Sequence, residues 1–462
     1  MAQPLWKILR RLNPAQLLIL SFAVYILFIS LVLCLPGAVV GKPISWVQAL
    51  FTATSATCVT GLIVVDTGAK FTLFGQLVIL ASIQLGGIGI MTMSSFILLL
   101  IGKRPSLQAR ETVSGYFPRL EKFTFSRLLV AIVALTFLFE AAGALLLFAR
   151  WLRSYPSVGQ TAYQAVFHAI SAFCNAGFSL NRDSLIPWAS DLTTNGTVMA
   201  LIILGGLGFF VLIEIWNALA PSRRPFHLRF SFHTKLVLCM TVLILLLGTA
   251  LFYFLEMGNP LTLKPLGFGQ GLLRSLFQVV TARTAGFNTL PIENLTHVNL
   301  YLLLGVMFVG AGPGSCAGGV KVTTAGVLLI VVLSRLRGFS RPSLFGRSLP
   351  RATIEQALTL VVLAAVFLAL FILLLLIAEE GHHPAALQRG SYFMELIFET
   401  VSAFGTVGLS TGVTPDLSRA GMLLISAMMF IGRLGPLTLA YALERHRRKL
   451  AFTYPEESVL IG

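Results

Sequence analysis

Apolar positions run along the chain in blocks too long for strands and too uniformly apolar for helices with one wet face. Predominantly apolar runs fall near residues 15–35, 71–101, 127–149, 196–219, 234–256, 298–333, 354–378 and 419–440. A membrane-spanning helix needs about 20 such residues, so these eight runs predict eight spans. Between the members of each consecutive pair lies a shorter helical run, at 46–58, 162–174, 270–283 and 391–404. A helix of about 13 residues rises only about 20 Å, too little for a hydrocarbon core of about 30 Å. These four runs therefore predict half-helices that enter and turn back. The pattern is span, half-helix, span, four times over.

Each half-helix ends in a similar phrase: SATCVTGL (Ser55 to Leu62), SAFCNAGF (Ser171 to Phe178), TARTAGF (Thr281 to Phe287) and SAFGTVGL (Ser402 to Leu409). Gly61, Gly177, Gly286 and Gly408 are shared, and a second glycine register follows at Gly86-Gly87, Gly205-Gly206, Gly310 and Gly432. The predicted fold is an all-α polytopic membrane protein whose repeats occupy 1–103, 104–225, 226–345 and 346–450, in a pseudo-fourfold arrangement around a central pore, with a tail at 451–462. Irregular backbone at membrane depth survives only where protein or a water-filled space surrounds it. Four such loops around one axis can present rings of carbonyl oxygens to a dehydrating monovalent cation. Glycine permits the dihedrals that turn carbonyls one way, and the negative dipole ends of the half-helices favour a cation.

Composition narrows the class. Of 462 residues, 56% are hydrophobic types and only 11% are charged, against about a quarter in soluble chains; a soluble globular protein is excluded. The net charge of +16 is a matter of placement. Basic clusters precede the first span (Lys7, Arg10, Arg11) and follow the second (Lys103, Arg104), the fourth (Arg223, Arg224), the sixth (Arg335, Arg337) and the eighth (Arg447, Arg448). With alternating spans all lie on one side, which the positive-inside rule makes cytoplasmic. Both termini are then cytoplasmic, anionic lipid is the partner of the basic residues, and nucleic acid is not. The apolar run Leu17 to Leu35 exceeds a signal-peptide core and reads as a retained span. Cys34, Cys58, Cys174, Cys239 and Cys316 show no spacing for disulfides or zinc.

These phrases resemble the filter signatures of the Trk/Ktr/HKT superfamily of potassium transporters, in all four repeats, and the start of the first repeat near residue 15 is closer to the Ktr-type potassium-translocating membrane subunit. The resemblance implies potassium uptake across the cytoplasmic (inner) membrane, with sodium as a second candidate ion and no organic cofactor. It implies a homodimer and a cytosolic regulatory ring of the nucleotide-binding RCK (KTN) kind. Carried over, the filter carbonyls are those of Val59, Thr60, Gly61, Asn175, Ala176, Gly177, Thr284, Ala285, Gly286, Thr406, Val407 and Gly408. The tail resembles one that contacts the dimer partner or the ring.

The sixth span holds Gly310, Gly312, Pro313, Gly314, Ser315, Gly318 and Gly319 within ten residues. Glycine costs about 1 kcal/mol and proline about 3 in a helix interior, so this stretch, 310–321, predicts a break at membrane depth that can obstruct a pore. In the resembled family the matching loop is an intramembrane gate. Lys321 ends it. Arg433 lies mid-depth in the last span, and an intramembrane arginine marks function by default. It is expected beneath the filter, binding loop carbonyls as a barrier to cations; the alternative is a pair with Glu399. Nine residues before each filter glycine stand Thr52, His168, Phe277 and Glu399, and Arg283 is a candidate partner of Glu399. His168 reads as structural. Asp66, Asp183, Asp191, Glu293 and Asp416 follow the filters on the outer side, as a cation-concentrating mouth or a solvated surface.

Two further classes compete. A secondary permease for sodium or ammonium fits broken spans, but four repeats of like orientation favour a pore. An intramembrane serine hydrolase would use Ser315, yet needs a base in reach, and His168 is the one histidine expected at depth.

Overall fold

The computed structural model describes residues 14–88, 125–219, 230–339, 341–382 and 390–435. The basic clusters at 7–11, 103–104, 223–224 and 447–448, the second half of the 71–101 run and the tail lie outside these residues.

The stretch read as the first repeat holds α1 (Pro14–Leu33), α2 (Trp46–Thr57) and α3 (Leu73–Gly87). The second has α4 (Phe125–Trp151), α5 (Val158–Phe173), α6 (Leu192–Leu207) and α7 (Phe209–Leu219). The third has α8 (Phe232–Glu256), α9 (Phe268–Ala282), α10 (His297–Phe308) and α11 (Val322–Leu336). The fourth has α12 (Arg351–Glu380), α13 (Gly390–Gly405) and α14 (Arg419–Leu434). The short helices α2, α5, α9 and α13 coincide with the four expected half-helices to within a few residues. Among the described residues the strands are confined to a small hairpin of β1 (Ser343–Leu344) and β2 (Arg347–Ser348).

Three described helices are long and apolar enough to cross a bilayer alone: Leu129–Trp151, Phe232–Glu256 and Arg351–Glu380. Their outer faces carry exposed apolar side chains such as Leu145, Leu246, Phe254 and Val366, which water would penalise and lipid accepts. The protein is a multi-pass membrane protein. The half-helices form the interior instead: Phe51, Phe167, Phe277 and Phe398, one on each, are fully buried.

One span departs from expectation. The 196–219 run, read as continuous, is two helices bent by 104° at Gly208, whose φ is +92°. A Cβ on Gly208 would fall on the Pro313 carbonyl. The break is made where the loop from the sixth span arrives, and only glycine tolerates both that dihedral and that approach. The helix α14 ends at Leu434, where Gly435 takes a similar φ of +83°, and residues 436–440 of the expected eighth span lie outside the described residues.

Neighbouring units interlock in sequence order. The second span of each repeat packs on the half-helix of the next: α3 on α5, α6 on α9, α10 on α13, and α14 back on α2. Close glycines permit this. Toward the next unit a Cβ on Gly87 would strike Cys174, and toward its own unit one on Gly86, Gly205 or Gly432 would strike the backbone carbonyl of Thr57, Phe173 or Phe404 respectively, each at the end of the half-helix of the same repeat.

The outer end of each first span holds the start of the second. Glu379 accepts from the Ser418 amide at 3.0 Å and from the Ser418 hydroxyl at 2.7 Å, where Ser418 caps α14. Glu256 receives the Thr296 hydroxyl at 2.9 Å, where Thr296 caps α10. In the second repeat Arg150 pairs with Asp191 at 3.0 Å, the cap of α6. In the first, Thr72, the cap of α3, donates to the Gly37 carbonyl at 2.7 Å. Replacing Glu379 by Ala strands the buried Ser418 donors, so thermal unfolding in detergent should show a loss of about 1–3 kcal/mol; an unchanged melting temperature would show the clamp to be idle.

Candidate functional site

The four similar phrases become four short non-helical segments at the ends of α2, α5, α9 and α13. Each opens with its chain folded back: the Thr60, Ala176, Ala285 and Val407 amides donate to the Ser55, Ser171, Thr281 and Ser402 carbonyls at 2.7–2.8 Å. This satisfies carbonyl acceptors that the C-terminus of the half-helix leaves unpaired. Every segment then carries two positive φ values at the same register. Val59, Asn175, Thr284 and Thr406 have φ of 55°, 58°, 84° and 49°, and Gly61, Gly177, Gly286 and Gly408 have 96°, 68°, 82° and 88°. For β-branched Val59, Thr284 and Thr406 this conformation is an outlier. Residues held there cost about 1–3 kcal/mol each and persist only where surroundings impose them, which is usual at functional sites.

The four glycines close a circuit. A Cβ on Gly61 would come within 3.0 Å of the Ala176 carbonyl, one on Gly177 within 3.0 Å of Ala285, one on Gly286 within 3.0 Å of Val407, and one on Gly408 within 3.0 Å of Thr60. Each glycine thus rests against the preceding residue's carbonyl in the next segment, and the fourth rests on the first. The twelve residues named as filter carbonyls are brought together here. All of the non-glycine members are buried.

The circuit is regular but not uniform. From the Ser or Thr that anchors each segment to its glycine there are six residues in the first, second and fourth repeats, and five in the third. The Ser55 and Ser402 hydroxyls accept from the Gly61 and Gly408 amides, each at 3.1 Å. In the shorter third segment the Thr281 hydroxyl has no partner. The same shift corrects the register expected for Phe277. Its place beside Thr52, His168 and Glu399 is taken by Gln278, buried with both amide atoms unpartnered. Counting back from the glycine missed Gln278; counting from the Ser/Thr anchor finds it.

His168 and Glu399 hold the outgoing arms. His168 lies 2.9 Å from the Ser179 hydroxyl and 2.8 Å from the Gln164 carbonyl, which is the structural role expected. Glu399 accepts from Ser410, from the Thr411 amide at 3.2 Å and from Thr414 at 2.8 Å. The expected Arg283–Glu399 pair is absent: Arg283 donates to Thr241 at 3.3 Å, and Glu399 is already saturated by hydroxyl and amide donors. Of the outer acids, Asp66 and Asp191 cap helices, so these carboxylates are engaged by backbone amides.

Beneath the circuit, residues 310–321 form a non-helical loop pinched at its neck, where Gly310 donates to the Val320 carbonyl at 2.8 Å and Val322 to the Ala311 carbonyl at 3.0 Å. Its other polar atoms dock on neighbours. Gly312 donates to Gly206 at 2.8 Å, Cys316 to Gly205 at 3.3 Å and Gly319 to Gly432 at 3.3 Å, while the Gly314 carbonyl receives the Phe209 amide at 3.1 Å. Gly318 donates to the Thr406 hydroxyl at 2.9 Å. The Gly208 break supplies the free Phe209 amide, a contact that the pattern of apolar residues did not announce. Lys321 returns to the Ala317 carbonyl. Pro313 sits against Gly208. Arg433 reaches the loop as expected: one guanidinium nitrogen donates to the Cys316 carbonyl and another to the Gly86 carbonyl, and its expected alternative partner Glu399 is elsewhere. Ser315 accepts from the Ala317 amide and is not partnered with His168, so no nucleophile–base pair forms there. Among the described residues no cluster of His, Cys, Asp or Glu suits a metal ion.

Substituting Arg433 by Ala removes the tie between the loop and α3. The Cys316 thiol, buried in the docked loop, should then react several-fold faster with a maleimide in detergent-solubilised protein; an unchanged rate would show that the arginine does not hold the loop.

The profile of the TrkH family, described as a cation transport protein, matches residues 19–447. The chain is 40% identical over 458 residues to the Ktr system potassium uptake protein B of Bacillus subtilis, covering 98% of this chain and 97% of that protein. It is 34% identical over 459 residues to the potassium/sodium uptake protein NtpJ of Enterococcus hirae, covering 99% of each. The fold is similar to the crystal structure of the potassium transporter TrkH from Vibrio parahaemolyticus, with a TM-score of 0.71 at 19% identity over 93% of this chain and 84% of the other.

Proposed function

The chain belongs to the TrkH family of cation transport proteins, a family of transporters rather than enzymes, and from that membership we propose that it is the potassium-translocating membrane subunit of a Ktr-type uptake system. The observation that carries this reading is the closed circuit of four segments, each with two left-handed residues at one register. Alternating left-handed and extended residues turn successive carbonyls to the same side, and carbonyls from four segments can replace the hydration shell of a monovalent cation. The carbonyls from Val59 to Gly61, Asn175 to Gly177, Thr284 to Gly286 and Thr406 to Gly408 are the proposed ligands, in four pseudo-symmetric repeats about one pore.

The loop 310–321 is the proposed gate. Its docking beneath the circuit supports an obstructing position, and the charges of Lys321 and Arg433 add an electrostatic barrier to a cation leaving the filter. Sodium stands beside potassium as a carried ion, since the Enterococcus relative is named for both. The naming of a Ktr system supports a further component, proposed as a cytosolic nucleotide-binding ring, with this subunit as a homodimer in the inner membrane and both termini cytoplasmic.

Expression in bacteria lacking their own potassium uptake tests the reading. The chain should restore growth at low potassium and carry tracer rubidium. Gly286→Ser, which drives a side chain into the Val407 carbonyl and a left-handed dihedral, should lower that flux by about tenfold or more. Failure of the unaltered, membrane-inserted chain to carry any alkali cation would overturn the proposal.

A further inference from the structure

The four residues two positions before the filter glycines share a left-handed backbone but not a side-chain role. Val59 is apolar. One terminal atom of the Asn175 amide lies 3.4 Å from the Thr284 hydroxyl, which ties the second segment to the third. Thr406 alone of the four accepts from the loop, through the Gly318 amide at 2.9 Å. Both residues are buried. A Cβ on Gly318 would lie 2.7 Å from the Thr406 methyl, so glycine is what brings the loop backbone this close. Thr406 is also the residue whose dihedral, φ 49°, is costly for a β-branched side chain.

From this geometry we infer that Thr406 is a positioning residue that latches the gate loop to the filter: its hydroxyl holds the docked loop at Gly318, and the docked loop in turn holds the fourth segment in its left-handed conformation. The inference rests on the transport reading above and adds a regulatory role at the same site. Coupling between two sites is reciprocal. Whatever releases the loop removes a donor from Thr406 and relaxes the fourth segment, and whatever perturbs that segment weakens the loop's hold. The latch acts on one segment of four, so loop release alters the circuit from one side. A buried amide left without an acceptor is unfavourable, which makes the hydroxyl, rather than the shape of the side chain, the operative group.

The test is rubidium flux through the full-length protein in liposomes, without a cytosolic partner. Thr406→Val keeps the branched shape and deletes the acceptor. It should raise resting flux about 3- to 10-fold over Thr406→Ser, which keeps the hydroxyl at the same filter position, the effect of one hydrogen bond to a buried group. In a chain lacking Pro313 to Ala317, where the loop cannot dock, the valine and serine variants should differ in flux by less than about twofold, because the loop deletion has already removed the interaction that separates them. Equal flux in the intact-loop valine and serine variants, or the same difference when the loop is shortened, overturns the latch. Should Thr406→Val fail to fold, Thr406→Ala read by the maleimide reactivity of Cys316 decides: faster labelling supports the latch and an unchanged rate overturns it. A chain that carries no alkali cation at all defeats the transport reading, and Cys316 labelling still decides the latch.

Discussion

Backbone amides and carbonyls cannot be left unpaired inside a bilayer, and there is little water to take them. Among the described residues, the departures from helix at depth find backbone receptors elsewhere in the chain. The four segments after the half-helices fold back on the Ser or Thr carbonyls of those helices, and the 310–321 loop is met by Gly205, Gly206, Gly432 and the Phe209 amide. The second break, at Gly208, is best understood as part of that settlement: one helix is opened so that another span's loop can be satisfied. Two irregularities stabilise each other where either alone would be costly.

The same constraint explains what could be seen in the chain and what could not. Lengths of apolar runs are set by the bilayer, so the half-helices were legible to within about four residues; the 391–404 run becomes Gly390–Gly405 and the 162–174 run Val158–Phe173. The four glycine phrases were legible because they recur in one register, and in the structure each carries the same pair of positive φ values. The break at Gly208 was not, since a Gly-Gly-Leu-Gly run reads equally well as a packing surface, and its dihedral is dictated by Pro313, far away in sequence. Nor did the sequence announce left-handed backbone at Val59, Thr284 and Thr406, where local preference points to extended structure and tertiary contacts overrule it. The Arg283–Glu399 pair failed for a related reason: charge complementarity in sequence says nothing of the hydroxyls and amides that already surround Glu399.

The outer clamps show how one mechanical need is met by unlike chemistry. Glu256 and Glu379 receive the cap of the following span, Arg150 and Asp191 do so as an ion pair, and Thr72 does so through the Gly37 carbonyl. Each fixes the re-entry of the chain after a filter segment. The position is retained across repeats while the residue types are not, so the repeats are more alike in contacts than in letters.

The glycine circuit has a consequence for motion. Four segments that rest each upon the next, with the last upon the first, behave as a hoop. No member can move outward or twist alone without disturbing its neighbour's carbonyl, so widening is a collective event with one shared barrier. The weakest stave sets that barrier. The third is the odd member, shorter by one residue and backed by the unpartnered Gln278 and Thr281, so the hoop is not evenly braced.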